Sequence, residues 1–417
     1  MKRRDFLAST ALFSLFAGEA LAAPRTPAKK KPVAVRKKPA GKPAKKPATS
    51  ARNATAAGHR PQVHSAATPL IDNPPEGTSA SRLPPVRAQE LPTDWRTYEI
   101  ITTITLDSPG QSARIWLPIP SSQDNLYQRL LGHSWQGNTS AAGILRQPDG
   151  LLEAFHAEWR NAEKASLRLV THVSTADRHF DVSRRSVAPE RDDILRRNLQ
   201  TTSQIPNDGL AKQLGERIVG RIRDPVAQVK AIYDWLCDNA IYDPSLPGCG
   251  TGNVNQQLIS AQYGGRSADI NGLFVAVCRS IGIPARCVFG LRTGPSRLFR
   301  SLGLRSDDAT RSQHVRAEFY LPGFGWIPVD PSDVRRAVAI EALPEQDGRL
   351  ASLRRVLFGV WEMNWVAFNV GTDIQLPEQD MRLPFFALPE IHIGGARIDP
   401  LNTATPLYSI SARKVEL

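Results

Sequence analysis

From Trp95 onward apolar and polar residues alternate along the chain. Tyr98, Ile100, Thr102, Ile104 and Leu106 fall on one face of an extended segment, with Glu99, Thr103 and Asp107 on the other, which predicts a half-buried strand. Residues 114–120, 151–159 and 166–174 have the same texture and are separated by turns bearing Gly, Asn and Pro. Together they predict a small antiparallel β-sandwich over residues 93–185. The period then changes. Asp224-Pro225 marks a helix start, the carboxylate capping free N–H groups and the proline fitting the first turn, and Val229, Ile232, Tyr233 and Leu236 form its apolar stripe. A second helix begins near Ser267, carries Ile270, Leu273, Phe274, Val277 and Ile281 at steps of three and four, and stops at Gly282. A strand at 286–291, a polar loop at 292–313 and a hairpin from His314 to Asp330, turning at Pro322-Gly323-Phe324-Gly325, follow. The expectation is an α+β core over residues 200–345, with 346–417 packed on it as a C-terminal extension.

Residues before the first strand change where this core is expected to work. Residues 1–22 combine a basic start, an apolar run too short to span a bilayer, and Ala20-Leu21-Ala22 as a cleavage site, the layout of a signal peptide. Arg3-Arg4-Asp5-Phe6-Leu7 resembles the twin-arginine export signal, an address rather than an anchor; a Sec signal is the alternative. Residues 23–92 are rich in Lys, Pro and Ala and cannot bury enough apolar surface to order themselves, so they predict a disordered linker. That linker is either a solvated tether or a contact with anionic envelope polymers. The expected location is the periplasm or the exterior, with no transmembrane segment once the signal is removed.

The net charge of +13 belongs to this leader and linker. Residues 1–60 hold 15 Lys and Arg against Asp5 and Glu19, so the rest of the 417 residues is neutral overall. Nucleic-acid binding by the folded part therefore has no electrostatic support. Four cysteines, Cys237, Cys249, Cys278 and Cys287, lie in one segment; a Cys237–Cys249 bridge and buried free thiols both fit their spacing.

Three separated blocks carry the chemistry: KAIYDWLCDNAIYD at 230–243, GGRSADINGLFVAVCRSIGIPARCVFG at 264–290 and HVRAEFYLPGFGWIPVDPSD at 314–333. In residue type and spacing they resemble the core of the transglutaminase-like (papain-like cysteine peptidase) superfamily. The resemblance implies a papain-like transglutaminase core preceded by the β-sandwich, a nucleophile at a helix N-terminus, a histidine base and a carboxylate that orients it. By position these are Ser267, His314 and Asp330. A five-residue turn at 321–325 would set Asp330 opposite Arg316, on the face of His314. Ser267 stands where the family has cysteine. A thiol can be driven to thiolate by a helix N-terminus, whereas a serine hydroxyl must lose its proton as it attacks. Cys278, 11 residues along the same helix and roughly 16 Å away, is too distant to substitute.

Lesser candidates complete the expectation. The Ser267 N–H is one oxyanion donor, with Gln262 or Tyr263 as the second; Asp269 caps the helix; Trp326, Trp361 and Trp365 line a peptide cleft or belong to the core. The resemblance implies an amide-containing substrate such as a peptide or a cell-wall peptide, and no metal or organic cofactor. Two function classes remain: a Ser267–His314–Asp330 hydrolase or acyltransferase, and a catalytically silent domain that binds a peptide in the same cleft.

Overall fold

The computed structural model describes residues 92–108, 110–123, 125–147, 152–180, 187–376, 382–404 and 406–416. The expected signal peptide and, save for Pro92, the linker lie outside the described residues. No described helix is long and apolar enough to cross a membrane.

Six strands open the fold: β1 Trp95–Asp107, β2 Ala113–Pro118, β3 Gln128–Gly137, β4 Ala141–Arg146, β5 Glu153–Trp159 and β6 Lys164–Ala176. They divide between two antiparallel sheets. In one, β6 lies between β1 and β3; in the other, β5 lies between β2 and β4. Tyr98, Ile100, Ile104 and Leu106 of β1 are buried as the alternation requires, in one cluster with Leu169 of the same sheet and Ile115 and Phe155 of the other. β3 and β4 have no counterpart in the hydrophobic pattern. Each sits at the edge of its sheet, β3 mostly exposed and β4 mostly half-buried, so neither has the buried face that makes a central strand alternate.

The stretch 346–417 corrects one expectation. Its helix Gly348–Val356 packs on the core as an extension would, through Leu350 and Leu353, but the later strands are shared between the layers. Glu390–Ile393 pairs with β2, Ala396–Ile398 extends that sheet, and Tyr408–Val415 runs antiparallel along β1 in the register Ile100↔Ala412. Trp365–Asn369 instead joins the core sheet beside Ala285–Arg292. The sandwich is thus closed by both ends of the described chain, because β1 and β2 need an outer partner for their free backbone groups.

The core is α+β. Its antiparallel sheet runs Gly325–Val329, Gln313–Leu321, Ala285–Arg292, Trp365–Asn369. Against it packs the helix Ser267–Ser280, buried along nearly its whole length. Asp224 caps the helix Pro225–Asn239 through the Ala227 N–H, and Val229, Ile232, Tyr233 and Leu236 join the same core. Leu291, Val366 and Phe368 reach from the core sheet into the sandwich cluster, so the two layers share apolar contacts.

Candidate functional site

Packing of one helix start against one strand builds the site. The Ser267–Ser280 helix begins at Ser267, and its first turn is held by Asp269. One Asp269 oxygen accepts the Arg266 N–H at 2.8 Å; the other accepts the Thr251 N–H, the Thr251 hydroxyl and the Gly252 N–H at 3.1, 3.0 and 2.8 Å. Asp269 thus ties the 249–252 loop to the helix tip as well as capping it. The glycines make room for this. Gly250, at φ +100°, and Gly265, at φ +122°, would each place a Cβ against the Asp269 carboxylate, 1.9 and 2.5 Å from Oδ2.

One turn along, Ser267 and Asn271 share the helix face that meets the histidine strand Gln313–Leu321. The Val315 N–H donates to Ser267 Oγ at 3.1 Å, and Asn271 Nδ2 donates to the Val315 carbonyl at 2.7 Å. The helix tip therefore grips both backbone groups of the residue after His314. The hairpin supplies the carboxylate. Ala317 pairs with Val329 and Leu321 with Gly325, so the ladder continues with Asp330 opposite Arg316 and on the side of His314. His314 Nε2 lies 2.7 Å from Asp330 Oδ2. Asp330 Oδ1 accepts from Asn271 Nδ2, the Ser332 hydroxyl and the Asp333 N–H, at 3.1, 2.7 and 3.1 Å. Asp330 thus does two things at once, holding the imidazole and capping the helix Pro331–Glu341.

Ser267 and His314 open onto one small recess, lined also by Tyr242, Arg266, Arg292, Arg311 and Arg336. Burial pushes His314 well below the ordinary imidazole value, and Arg292, Arg316 and Arg336 push it the same way against Asp333. The ring is therefore neutral, with its proton on Nε2 toward Asp330 and Nδ1 left as the acceptor. Arg292 is buried and bonded to Asp333 and the Leu302 carbonyl. Arg316, lowered to about 10 by burial, lies 3.7 Å from Asp330. His314, Asp330 and Asp333 converge closely enough to share a cation. Arg292 and Arg316 already stand against those carboxylates, however, so the donor set is that of an ion-pair network.

The other candidates fall elsewhere. Gln262 is exposed, and Tyr263 packs on Trp235 with ring centres 5.0 Å apart; neither lines the recess. Trp365 is buried behind the strand and donates to the His314 carbonyl at 3.0 Å, Trp361 donates to the Val329 carbonyl at 3.1 Å, and Trp326 lies under Arg286. These tryptophans brace the hairpin. All four cysteines are buried and unbridged. Burial pushes Cys237, Cys249 and Cys287 up to about 12, and Cys278 well above its ordinary value, so none is a ready thiolate. Sequence reasoning missed Asn271 and the arginines. Arg266, next to Ser267 in the GGRSAD block, was the available signal.

Comparison with known proteins agrees with this architecture. The core of the transglutaminase-like superfamily matches residues 212–331. An uncharacterised protein of Haemophilus influenzae is 33% identical over 339 residues, covering 75% of this chain and 89% of that protein. Among solved structures, the chain is similar to a candidate cysteine protease from Cytophaga hutchinsonii, at 18% identity and TM-score 0.45 over 77% of this chain and 99% of that one. It is also similar to the periplasmic domain of TgpA from Pseudomonas aeruginosa, at 18% identity and TM-score 0.31 over 64% of this chain and 94% of that domain. The chain belongs to the transglutaminase-like superfamily.

Proposed function

We propose that the recess at Ser267 binds an amide-containing ligand, a peptide or a cell-wall peptide, without turning it over, and that the protein does so in the periplasm after twin-arginine export. The observation that carries this reading is the burial of His314 among Arg292, Arg316 and Arg336. A serine nucleophile needs a base that accepts its proton and becomes imidazolium, and efficiency falls as the base's pKa drops below the working pH. Burial and three arginines oppose that imidazolium. The Ser267 oxygen, in turn, already accepts the Val315 N–H. Export rests on the arginine pair and apolar run of residues 1–22.

A second reading, a Ser267–His314–Asp330 hydrolase or acyltransferase, is favoured by the 2.7 Å bond from His314 to Asp330, which leaves Nδ1 as an acceptor. A fluorophosphonate probe separates the two. Absence of labelling across neutral and alkaline pH supports the binder; labelling that disappears in Ser267→Ala supports the hydrolase and ends the binding-only reading.

A further inference from the structure

Among the described residues, the lining of the recess carries arginines and no carboxylate; Asp243, Asp308 and Asp333 act on Arg266, Arg311 and Arg336 only from outside it. Arg266, Arg292, Arg311 and Arg336 all line it. Arg292 is paired with Asp333, and Asp330 is taken by His314 and faced by Arg316. Among the described residues no carboxylate is ion-paired with the other three. Arg266 donates to the Leu246 carbonyl, Arg336 to the Ser301 carbonyl and the Tyr242 hydroxyl, and Arg311 is exposed. Tyr242 fixes two of them in place. The Arg266 and Arg336 guanidinium carbons stand 5.9 and 5.4 Å from the centre of its ring.

Like charges gathered in a partly enclosed space repel, and an anion between them removes the repulsion. Guanidinium groups present paired donors in a fixed plane, the complement of a carboxylate. Each of these arginines keeps N–H donors beyond those its protein partners use. We propose that the ligand enters this recess by a carboxylate received by Arg266, Arg311 and Arg336, beside Ser267. This rests on the reading of the recess as a site for an amide-containing ligand, and it narrows that ligand to one with a carboxylate close to the amide. The carboxylate is either a peptide's C-terminus or an acidic side chain.

Calorimetry on the full folded chain at low salt tests it with four probes: N-acetyl-Ala-Ala, its C-terminal amide, N-acetyl-Ala-Glu with its C-terminus amidated, and acetate. The expected result is that at least one free-acid peptide binds about tenfold or more tighter than the uncharged amide, weakening as salt rises. Which acid peptide it is assigns the source. Arg311→Gln, at an exposed side chain, should weaken that binding several-fold with an unchanged urea midpoint, and Arg266→Gln should weaken it about tenfold. If acetate binds through the arginines while no peptide improves on it, the carboxylate site stands and the amide-ligand reading fails. If the uncharged amide binds as tightly as the acids, or if Arg311→Gln and Arg266→Gln both leave affinity unchanged, the carboxylate inference is overturned and the amide-ligand reading survives. Failure of every probe at millimolar concentration overturns both.

Discussion

Asn271 is the side chain on which the site's geometry turns, and replacing it with leucine isolates that role. It is fully buried, and its amide nitrogen donates one hydrogen to the Val315 carbonyl and shares the other between Asp330 Oδ1 and Ser332 Oγ. Leucine is close to it in shape, so Asn271→Leu deletes the donors with little cavity. The bond to the carboxylate contributes about 1.5–3 kcal/mol and each neutral bond about 0.5–1.5 kcal/mol. Two effects reduce the loss. Asp330 Oδ1 keeps the Ser332 hydroxyl and the Asp333 N–H, and the substitution removes an Asn271 oxygen that is itself buried without a partner. The net loss is about 2 kcal/mol. With a urea slope of about 3 kcal/mol per molar, the unfolding midpoint falls by about 0.7 M. Asn271→Asp should fall further, because a second carboxyl buried beside Asp330 must either repel it or take up a proton. An Asn271→Leu midpoint indistinguishable from the parent's would refute the claim that this amide bolts helix to hairpin.

His314 makes stability pH-dependent with a definite sign. Its folded value is depressed, by burial first and by Arg292 next, so below about 6.5 the unfolded chain holds a proton the folded one lacks. Stability is full above that pH and falls with acid by up to about 1.4 kcal/mol per pH unit, a slope that His314→Gln should flatten in urea titrations at stepped pH. Gly250→Ala should cost more than about 2 kcal/mol, since φ +100° and a Cβ 1.9 Å from the Asp269 carboxylate leave no relaxed alternative; an unchanged melting temperature would show that the 249–252 loop shifts freely. Glu318 is buried between Arg178 and Arg286, and Glu318→Gln should cost about 3 kcal/mol by leaving two guanidinium groups without their counter-charge. Restoration by a second change of Arg286 to Met would confirm that the loss is electrostatic.

The sequence carried the site's frame further than its lining. The Ser267 helix, the histidine strand and the Pro-Gly turn were legible because each has a local signal: periodicity, alternation, a breaker. The register that sets Asp330 beside His314 followed from counting across that turn, and the ladder has it so. Edge strands β3 and β4 were not legible, since exposure on one or both faces erases the alternation that marks a strand. Nor was the return of Tyr408–Val415 to β1, a pairing across some 300 residues that no local pattern encodes. The arginines escaped for a related reason. Arg292, Arg311 and Arg336 come from a strand end, a loop and a helix, and only folding gathers them around Ser267. Asn271 looked like an ordinary helix position because its partners, the Val315 carbonyl and the Asp330 and Ser332 side chains, lie more than 40 residues away.

The most direct test restores sulfur at the helix tip. In Ser267→Cys, alkylation by iodoacetamide followed against pH reports the ionisation of that thiol, and its four native thiols, buried and raised, stay silent in the folded protein. If residue 267 sits at a helix N-terminus among arginines and beside the His314 ring, the inflection falls at least one unit below the free-cysteine value of about 8.5 and moves when His314 is changed to Gln. An inflection at or above 8.5, indifferent to residue 314, would mean that these groups do not meet.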